Sequence, residues 1–244
     1  ATEEQKVVSK IFDGDDFRYY NVTIERPLRL RSQFNALKID EMLYDSSDLE
    51  MSKWLYQTYG ERVFDGIDNE VPAIKEYLNE NEIKMTDKKL AKLISVKAWE
   101  DRRTLQDAAK ALMKVIGTDV FMDYNVFSER VASTAKTLKL DIKAADIKSI
   151  ARAMSVTDPA AAPVIKKEHK ANSKDIEKLE SVYGIAPDVI EDYGYTKQGK
   201  GYVEYESDSD LRDSEKIPVK EDIYEYFQRE VRPYVADAWI NLPP

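Results

Sequence analysis

Two stretches near the ends of the chain carry the sequence signals that decide its fold. Residues 17–30 read FRYYNVTIERPLRL, and residues 210–218 read DLRDSEKIP. The first stretch alternates with the period of a β-strand, with Val22 and Ile24 among the apolar side chains on one side. Because proline cannot donate to a strand ladder, Pro27 ends the predicted strand.

Helical spacing dominates the chain between these stretches. Thr86 is a suitable N-terminal cap for apolar residues that follow at helical spacing, and another helix is predicted over residues 173–183, ending at Gly184. We therefore predict a mainly α fold with a few short β-strands. It would be a helical module with an irregular hairpin or loop near residues 192–213, which are rich in glycine, tyrosine and aspartate.

The segment DPAAAP at residues 158–163 breaks the helical pattern and predicts an internal boundary. Residues 1–157 would then form a strand plus a helical region with a basic middle. Residues 158–244 would form a helix, an acidic loop or hairpin, and a C-terminal helix with a tail that contains Trp239. A single continuous domain is the alternative.

The composition excludes cysteine-based sites and argues against a membrane protein. The 244 residues are 43% hydrophobic and 34% charged, and they include no cysteine, which excludes disulfides, thiolate metal sites and cysteine nucleophiles. No apolar run approaches the ~20 residues of a membrane helix. The first six residues, ATEEQK, are polar and unlike a signal peptide. We therefore expect a cytoplasmic protein without a membrane partner.

The net charge of −9 conceals a basic middle. Residues 84–178 carry 20 basic and 13 acidic residues, whereas both flanking parts are acidic. Because phosphate contacts need clustered cations, any DNA would bind to this basic middle, weakly and without sequence preference. Four phosphate contacts predict a slope of log affinity against log salt concentration of about −3.6. The alternative is a solvated helix surface. The candidate contacts are Lys88, Lys89, Lys92, Arg102 and Arg103.

Three arginines follow the predicted strand. Arg26, Arg29 and Arg31 carry guanidinium groups, which bind phosphate or carboxylate through two parallel hydrogen bonds. They could therefore contact the DNA backbone. The alternative, which we favour, is that they pair with acids of the second stretch such as Asp213 or Glu215.

Metal chemistry has little support in the sequence. His169 is the only histidine, and in the segment KKEHK we expect it to be exposed to solvent. Asp158 followed by Glu168 and Lys170 has the residue order of a magnesium-dependent nuclease, in which the two carboxylates hold the metal and the lysine polarises the attacking water. The surrounding sequence, however, does not predict the adjoining strands that such a site needs. We predict no catalytic residue, no metal site and no cofactor site in this chain.

The two end stretches, with FQREV at 227–231 and DAWI at 237–240, resemble the region beyond the catalytic domain in the methyltransferase (modification, M) subunit of type I DNA restriction–modification systems. The resemblance implies a part of an adenine-specific DNA methyltransferase. The chain lacks the Asn-Pro-Pro-aromatic loop and the Gly-rich S-adenosylmethionine site of such a subunit, so it would be a C-terminal piece or the product of a split gene. S-adenosylmethionine is expected only for the intact subunit.

The resemblance further implies a role in assembly. The expected partners are the specificity subunit and the restriction subunit of the type I complex, with DNA held in the assembled complex. We expect Trp239 to anchor the C-terminal tail in a pocket of this chain or of a partner. One alternative is a free-standing interaction or regulatory protein of the same system, and the other is a metal-dependent nuclease.

Overall fold

The computed structural model describes residues 13–242, and across these residues the chain is a mixed α/β protein. It is 51% helical and 18% strand, and the strands form three small antiparallel sheets. The prediction of a mainly α fold is therefore wrong. Several strands are short and polar and pair with residues far away in the sequence, so that they leave no local periodic signal. The polar N-terminus that argues against a signal peptide lies outside the described residues.

The described chain forms nine α-helices and eight strands. The helices are α1 (Ala36–Glu41), α2 (Leu49–Tyr59), α3 (Val71–Glu80), α4 (Asp87–Leu93), α5 (Val96–Ile116), α6 (Tyr124–Thr137), α7 (Ala144–Ala153), α8 (Lys174–Tyr183) and α9 (Ile223–Tyr226). The strands are β1 (Tyr19–Glu25), β2 (Leu30–Ser32), β3 (Ser155–Thr157), β4 (Ile165–Lys170), β5 (Tyr195–Gln198), β6 (Gly201–Tyr205), β7 (Asp213–Pro218) and β8 (Trp239–Ile240). Among these helices, none is long and apolar enough to cross a bilayer.

The chain divides into two compact units. The middle unit is Leu30–Ala161, and the end unit combines the residues up to Arg29 with those from Ala162 onward. The chain passes from the middle unit back to the end unit between Ala161 and Ala162, close to the predicted boundary after residue 157. The division also joins the N-terminal strand to the C-terminal part of the chain, which the linear pattern does not reveal.

The middle unit contains helices α1 to α7 and the small β2–β3 sheet. The long helix α5 contributes to two apolar clusters: Trp99 near its start packs in one, and Leu112 near its end packs in the other. Both side chains are fully buried. Thr86 caps α4 as its sequence predicts, because its hydroxyl accepts a hydrogen bond from the backbone N–H of Lys89 at 3.3 Å.

The end unit contains two sheets with the strand orders β7-β1-β8 and β4-β6-β5. Helix α8 ends as predicted at Gly184, which adopts a left-handed conformation. In the stretch 192–213, where a loop or hairpin is expected, β5 and β6 form a hairpin and β4 adds a third strand. The expected C-terminal helix is short: α9 covers only Ile223–Tyr226 and is followed by one π-helical turn over Phe227–Val231.

Candidate functional site

The two end stretches of the sequence form one sheet. Strand β1 of the first stretch lies between β7, which belongs to the second stretch, and β8, which belongs to the DAWI segment at 237–240. The antiparallel register places Val22 opposite Glu215 and Glu25 opposite Trp239. The residues that carry the family resemblance therefore lie side by side, although about 190 positions separate them in the sequence.

The β7-β1-β8 sheet has an apolar face and a polar face. Ile24 and Ile240 are paired and buried on the apolar face, together with Phe227 of the π-helical turn. Successive side chains of a strand point to opposite faces, so Glu25 and Trp239 lie on the other face. This alternation is the one that the sequence of residues 17–25 predicts.

Two of the three arginines after β1 converge on one carboxylate. Arg26 Nε lies 3.4 Å from Asp237 Oδ1, and an Arg29 terminal nitrogen lies 3.2 Å from Asp237 Oδ2. Arg31, in the middle unit, pairs instead with Asp158 at 3.3 Å. Ion pairing within the chain is the interpretation that these contacts favour, but the partners are not Asp213 or Glu215 as expected.

Glu25 is a buried carboxylate that the sequence does not single out. Its side chain is 5% exposed. One oxygen, Oε1, accepts a hydrogen bond from the Asn241 amide at 3.1 Å and forms an ion pair with Arg212 at 2.9 Å. The other oxygen, Oε2, is buried and has no hydrogen-bond partner among the described residues. Only the three-dimensional pairing of β1 with β8 brings these residues together, so a linear motif could not identify the group.

A second buried carboxylate, Asp192, ties the FQREV segment to the rest of the end unit. It accepts hydrogen bonds from the Tyr224 hydroxyl at 3.0 Å and from the Gln228 amide at 2.7 Å, and Arg232 lies 3.0 Å away. Burial and the hydrogen bond to Asp192 raise the pKa of Tyr224 to about 12. These contacts give Tyr224, Gln228 and Arg232 a structural role within the end unit.

Trp239 packs against a glycine of its own unit. A Cβ added at Gly194 would lie only 2.9 Å from the indole ring, and Gly194 has a φ of +88°. Two features thus require glycine at this position: the backbone conformation and the close approach of the ring. The indole is partly exposed, and the prediction that Trp239 anchors the C-terminal tail in a pocket of this chain or of a partner stays a prediction.

Three of the five candidate DNA contacts in the basic middle pair with acids of the same unit. Lys89 lies 2.8 Å from Asp48, and Arg102 lies 3.2 Å from Asp45. The third, Arg103, pairs with Glu61. These contacts partly neutralise the cations that would bind phosphate. They reduce the expected strength of a DNA contact at α4 and α5.

The other two candidates, Lys88 and Lys92, are exposed on α4. Within residues 13–242, neither ammonium group has a carboxylate within ion-pairing distance, although Lys92 is close enough to help lower the pKa of Asp45. The hydrogen bonds of Ser47 to Asp45 lower that pKa most, and Arg102 contributes as well. Lys88 and Lys92 lie four residues apart on one helix and therefore share a face.

The expectation that His169 is exposed is wrong. His169 lies on β4, and its side chain is 2% exposed; its two ring nitrogens lie 3.2 Å from Glu204 and 3.3 Å from Asp175. The segment KKEHK is a strand, so alternation buries His169 and leaves Glu168 and Lys170 exposed. Over the described part of the chain, no group of three or more His, Cys, Asp or Glu side chains could hold a metal ion.

Comparison of the chain with protein-family models, with curated proteins and with solved structures yields no match. The resemblance of the end stretches to the M subunit stays an expectation from the sequence.

Proposed function

We propose that this chain is the non-catalytic assembly and DNA-positioning part of an adenine-specific DNA methyltransferase subunit of a type I restriction–modification system. The main support is the β7-β1-β8 sheet, in which the two stretches that resemble the M subunit are neighbours. The two stretches would then serve to build one sheet, which an assembly module needs in order to present a stable surface.

The side chains of these stretches hold the end unit together. Arg26 and Arg29 bind Asp237, and Arg212 binds Glu25. These ion pairs stabilise the end unit. A stable unit is compatible with a role in docking another subunit. Because the sequence lacks the Asn-Pro-Pro-aromatic loop and the Gly-rich cofactor loop, we propose that S-adenosylmethionine binds only the intact subunit.

Exposed aromatic residues at the start of β1 are the proposed contact with the specificity subunit. Tyr19 and Tyr20 are 53% and 48% exposed, and Phe17, just before the strand, is 72% exposed. Aromatic side chains are enriched in protein interfaces because they bury a large area at a small cost in conformational entropy. The restriction subunit would join the same complex.

Helix α4 of the middle unit is the proposed contact with DNA. Lys88 and Lys92 are its two candidates without an ion pair among the described residues. Two phosphate contacts predict a slope of log affinity against log salt of about −1.8, half of that expected for four contacts. The assembled complex, and not this chain alone, would supply the remaining affinity.

Co-expression with the specificity subunit tests the assembly proposal. The wild-type chain should co-elute with that subunit in size-exclusion chromatography, and a double variant, Tyr19→Ser with Tyr20→Ser, should bind at least about tenfold more weakly. Tyr234→Ser is the matched control, because Tyr234 is 82% exposed in the same unit but lies outside the proposed contact. A wild-type chain that does not form the complex would disprove the proposal.

A further inference from the structure

The edge of β1 that faces β8 is covered for only part of its length. Strand β8 pairs with β1 at Ile24 and Glu25, and the Asn241 N–H, just after β8, donates to the Thr23 C=O at 2.9 Å. Before Thr23, no strand in the described part of the chain pairs with this edge. Residues 19–22 therefore form a stretch that we call the open edge.

The open edge presents backbone groups that lack a strand partner. On the other side of β1, the Val219 N–H donates to the Arg18 C=O at 3.1 Å, and every second residue after Arg18 faces β7 in the same way. The N–H and C=O groups of Tyr19 and Asn21 therefore point away from β7, to where β8 has ended. Asn21 is exposed to solvent. An added strand could form hydrogen bonds with these groups.

A cavity of about 580 Å³ lies along the open edge, within the end unit. Four consecutive residues of β1, 20–23, line it. Successive side chains of a strand point to opposite faces, so a strand that lines a cavity with consecutive residues presents its edge to that cavity. The volume lies in the range of ligand sites, which is about 300–1,000 Å³.

The wall of this cavity opposite β1 is largely apolar. Its apolar residues include Ile185, Tyr193, Ile223, Ile240 and Leu242. None of the described residues that line the cavity carries a charge. Because a charged group without a partner is costly to bury, side chains that enter the cavity should be uncharged and mainly apolar.

The outer edge of β7 differs from the open edge of β1. Strand β7 carries the exposed, charged Asp213 and Lys216 and ends at Pro218, which has no N–H to donate. Charged side chains and proline are the means by which proteins prevent another strand from adding to a sheet. Residues 19–22 read YYNV and include neither. Of the two edges, the open edge is therefore the better site for strand addition.

The open edge is too short to form the interface of a dimer by itself. At about 3.4 Å per residue, its four residues span only about 14 Å. An interface between two whole proteins usually buries about 1,000 Å² or more. A single extended segment has a smaller requirement, because backbone pairing and the filled cavity supply its contacts.

We propose that an extended segment of a partner protein binds the open edge as an added β-strand. Its backbone would pair with Tyr19 and Asn21, and its alternate apolar side chains would enter the cavity. In this mode of binding, the backbone hydrogen bonds give affinity and the side chains in the pocket give specificity. The segment need not come from the specificity subunit, so failure of this proposal would leave the proposed function unchanged.

Fluorescence anisotropy with a labelled strand-forming peptide tests the proposal. The probe is Lys-Thr-Val-Thr-Val-Thr-Val-Thr-Lys, in which valine alternates with threonine and the terminal lysines give solubility. We expect saturable binding to the whole chain with a dissociation constant below about 1 mM. The same peptide with aspartate in place of its central valine should bind at least about tenfold more weakly, because no cation lines the described cavity.

Asn21→Pro separates backbone pairing from contact with the side chain. It removes the N–H that would bind the added strand and spares the bonds between β1 and β7, so the peptide should bind at least about tenfold more weakly. Asn21→Ala is the matched control. It keeps the N–H and loses only the side chain, which binds Ser214, so its affinity should stay within about threefold of wild type.

Leu242→Asp keeps the proposal testable if Asn21→Pro does not fold. It places a carboxylate in the cavity wall and should weaken the peptide at least about tenfold. Leu211→Asp, at an exposed position of the same unit and outside the cavity, should not.

Three results would overturn the proposal. The first is the absence of saturable peptide binding at millimolar concentration. The second is peptide binding that neither Asn21→Pro nor Leu242→Asp weakens. The third is a dimer of the chain alone that Asn21→Pro dissociates and that excludes the peptide, because a second copy would then occupy the open edge.

Discussion

The middle unit and the end unit are built in different ways. The middle unit is one continuous segment, Leu30–Ala161, whose helices pack around two large apolar clusters. The end unit joins residues from both ends of the chain, and its apolar clusters are smaller. In the end unit, ion pairs and buried carboxylates such as Glu25 and Asp192 add polar contacts to these apolar clusters. Helices with local apolar periodicity make up most of the middle unit, whereas the sheets of the end unit need contacts between distant parts of the chain.

The largest expected effect comes from emptying one core in each unit. Trp99 and Phe227 are both fully buried, in the middle unit and the end unit respectively. Trp99→Ala and Phe227→Ala should each lower the free energy of unfolding by about 4 kcal/mol, because each leaves a large cavity. Chemical denaturation measures the change.

The exposed Tyr234→Ala is the control for both core variants and should change little. If Phe227→Ala cost less than about 1 kcal/mol while Trp99→Ala cost the full amount, the end unit would depend on its polar contacts and not on its apolar core.

A smaller effect is expected where Trp239 packs on Gly194. Gly194→Ala must place a methyl group 2.9 Å from the indole at a φ of +88°, so we expect a loss of about 3 kcal/mol. Gly184→Ala is the matched control: its φ is +68°, but nothing lies within 4 Å of the added Cβ. It should cost only about 1 kcal/mol from backbone strain. Equal losses would show that the indole does not hold Gly194.

The contrast between the units explains what the sequence could predict. Helix α8 with its end at Gly184 and the Thr86 cap of α4 follow from local rules, and so does the alternation of β1. Strand β7 could not be predicted in this way. Its residues DSEKIP are mostly polar, and it forms because β1 offers a partner about 190 residues away.

The candidate site shows the same division. Arg26 and Arg29 could be identified from the sequence as ion-pairing residues, but the acid that they share, Asp237, could not. The burial of His169 and the unpartnered oxygen of Glu25 depend on strand pairing that leaves no local pattern. A carboxylate or imidazole in a polar segment looks exposed until the neighbouring strand is known.

Asp237→Ala tests whether ion pairs stabilise the end unit, and we expect a moderate loss of stability. Arg26 and Arg29 would lose their shared carboxylate and repel each other. Because the Asp237 side chain is 33% exposed, solvent screens these pairs, and we expect a loss of about 1 kcal/mol that shrinks in high salt. Asp158→Ala, which removes a carboxylate that pairs with only one arginine among the described residues, Arg31, should cost less. A larger loss for Asp158→Ala would contradict the idea that ion pairs matter more in the end unit.

The smallest expected effect is a pH dependence that Glu204 confers on the end unit. Burial alone would raise the pKa of Glu204, but hydrogen bonds from Lys166 and His169 outweigh it and hold the pKa below its usual 4.5. A carboxyl group whose pKa is lower in the folded state stabilises the protein at pH values above 4.5. This contribution is lost as the pH falls through the folded value.

Glu204→Gln should therefore lower the melting temperature at neutral pH, and the difference from wild type should shrink below pH 4.5. We expect no more than a few tenths of a kcal/mol, because solvent reaches the Lys166 side of the pair. Glu180→Gln, an exposed change on α8, is the control and should follow the wild-type curve. A difference that stayed constant from pH 7 to pH 3 would mean that Glu204 acts through packing and not through its charge.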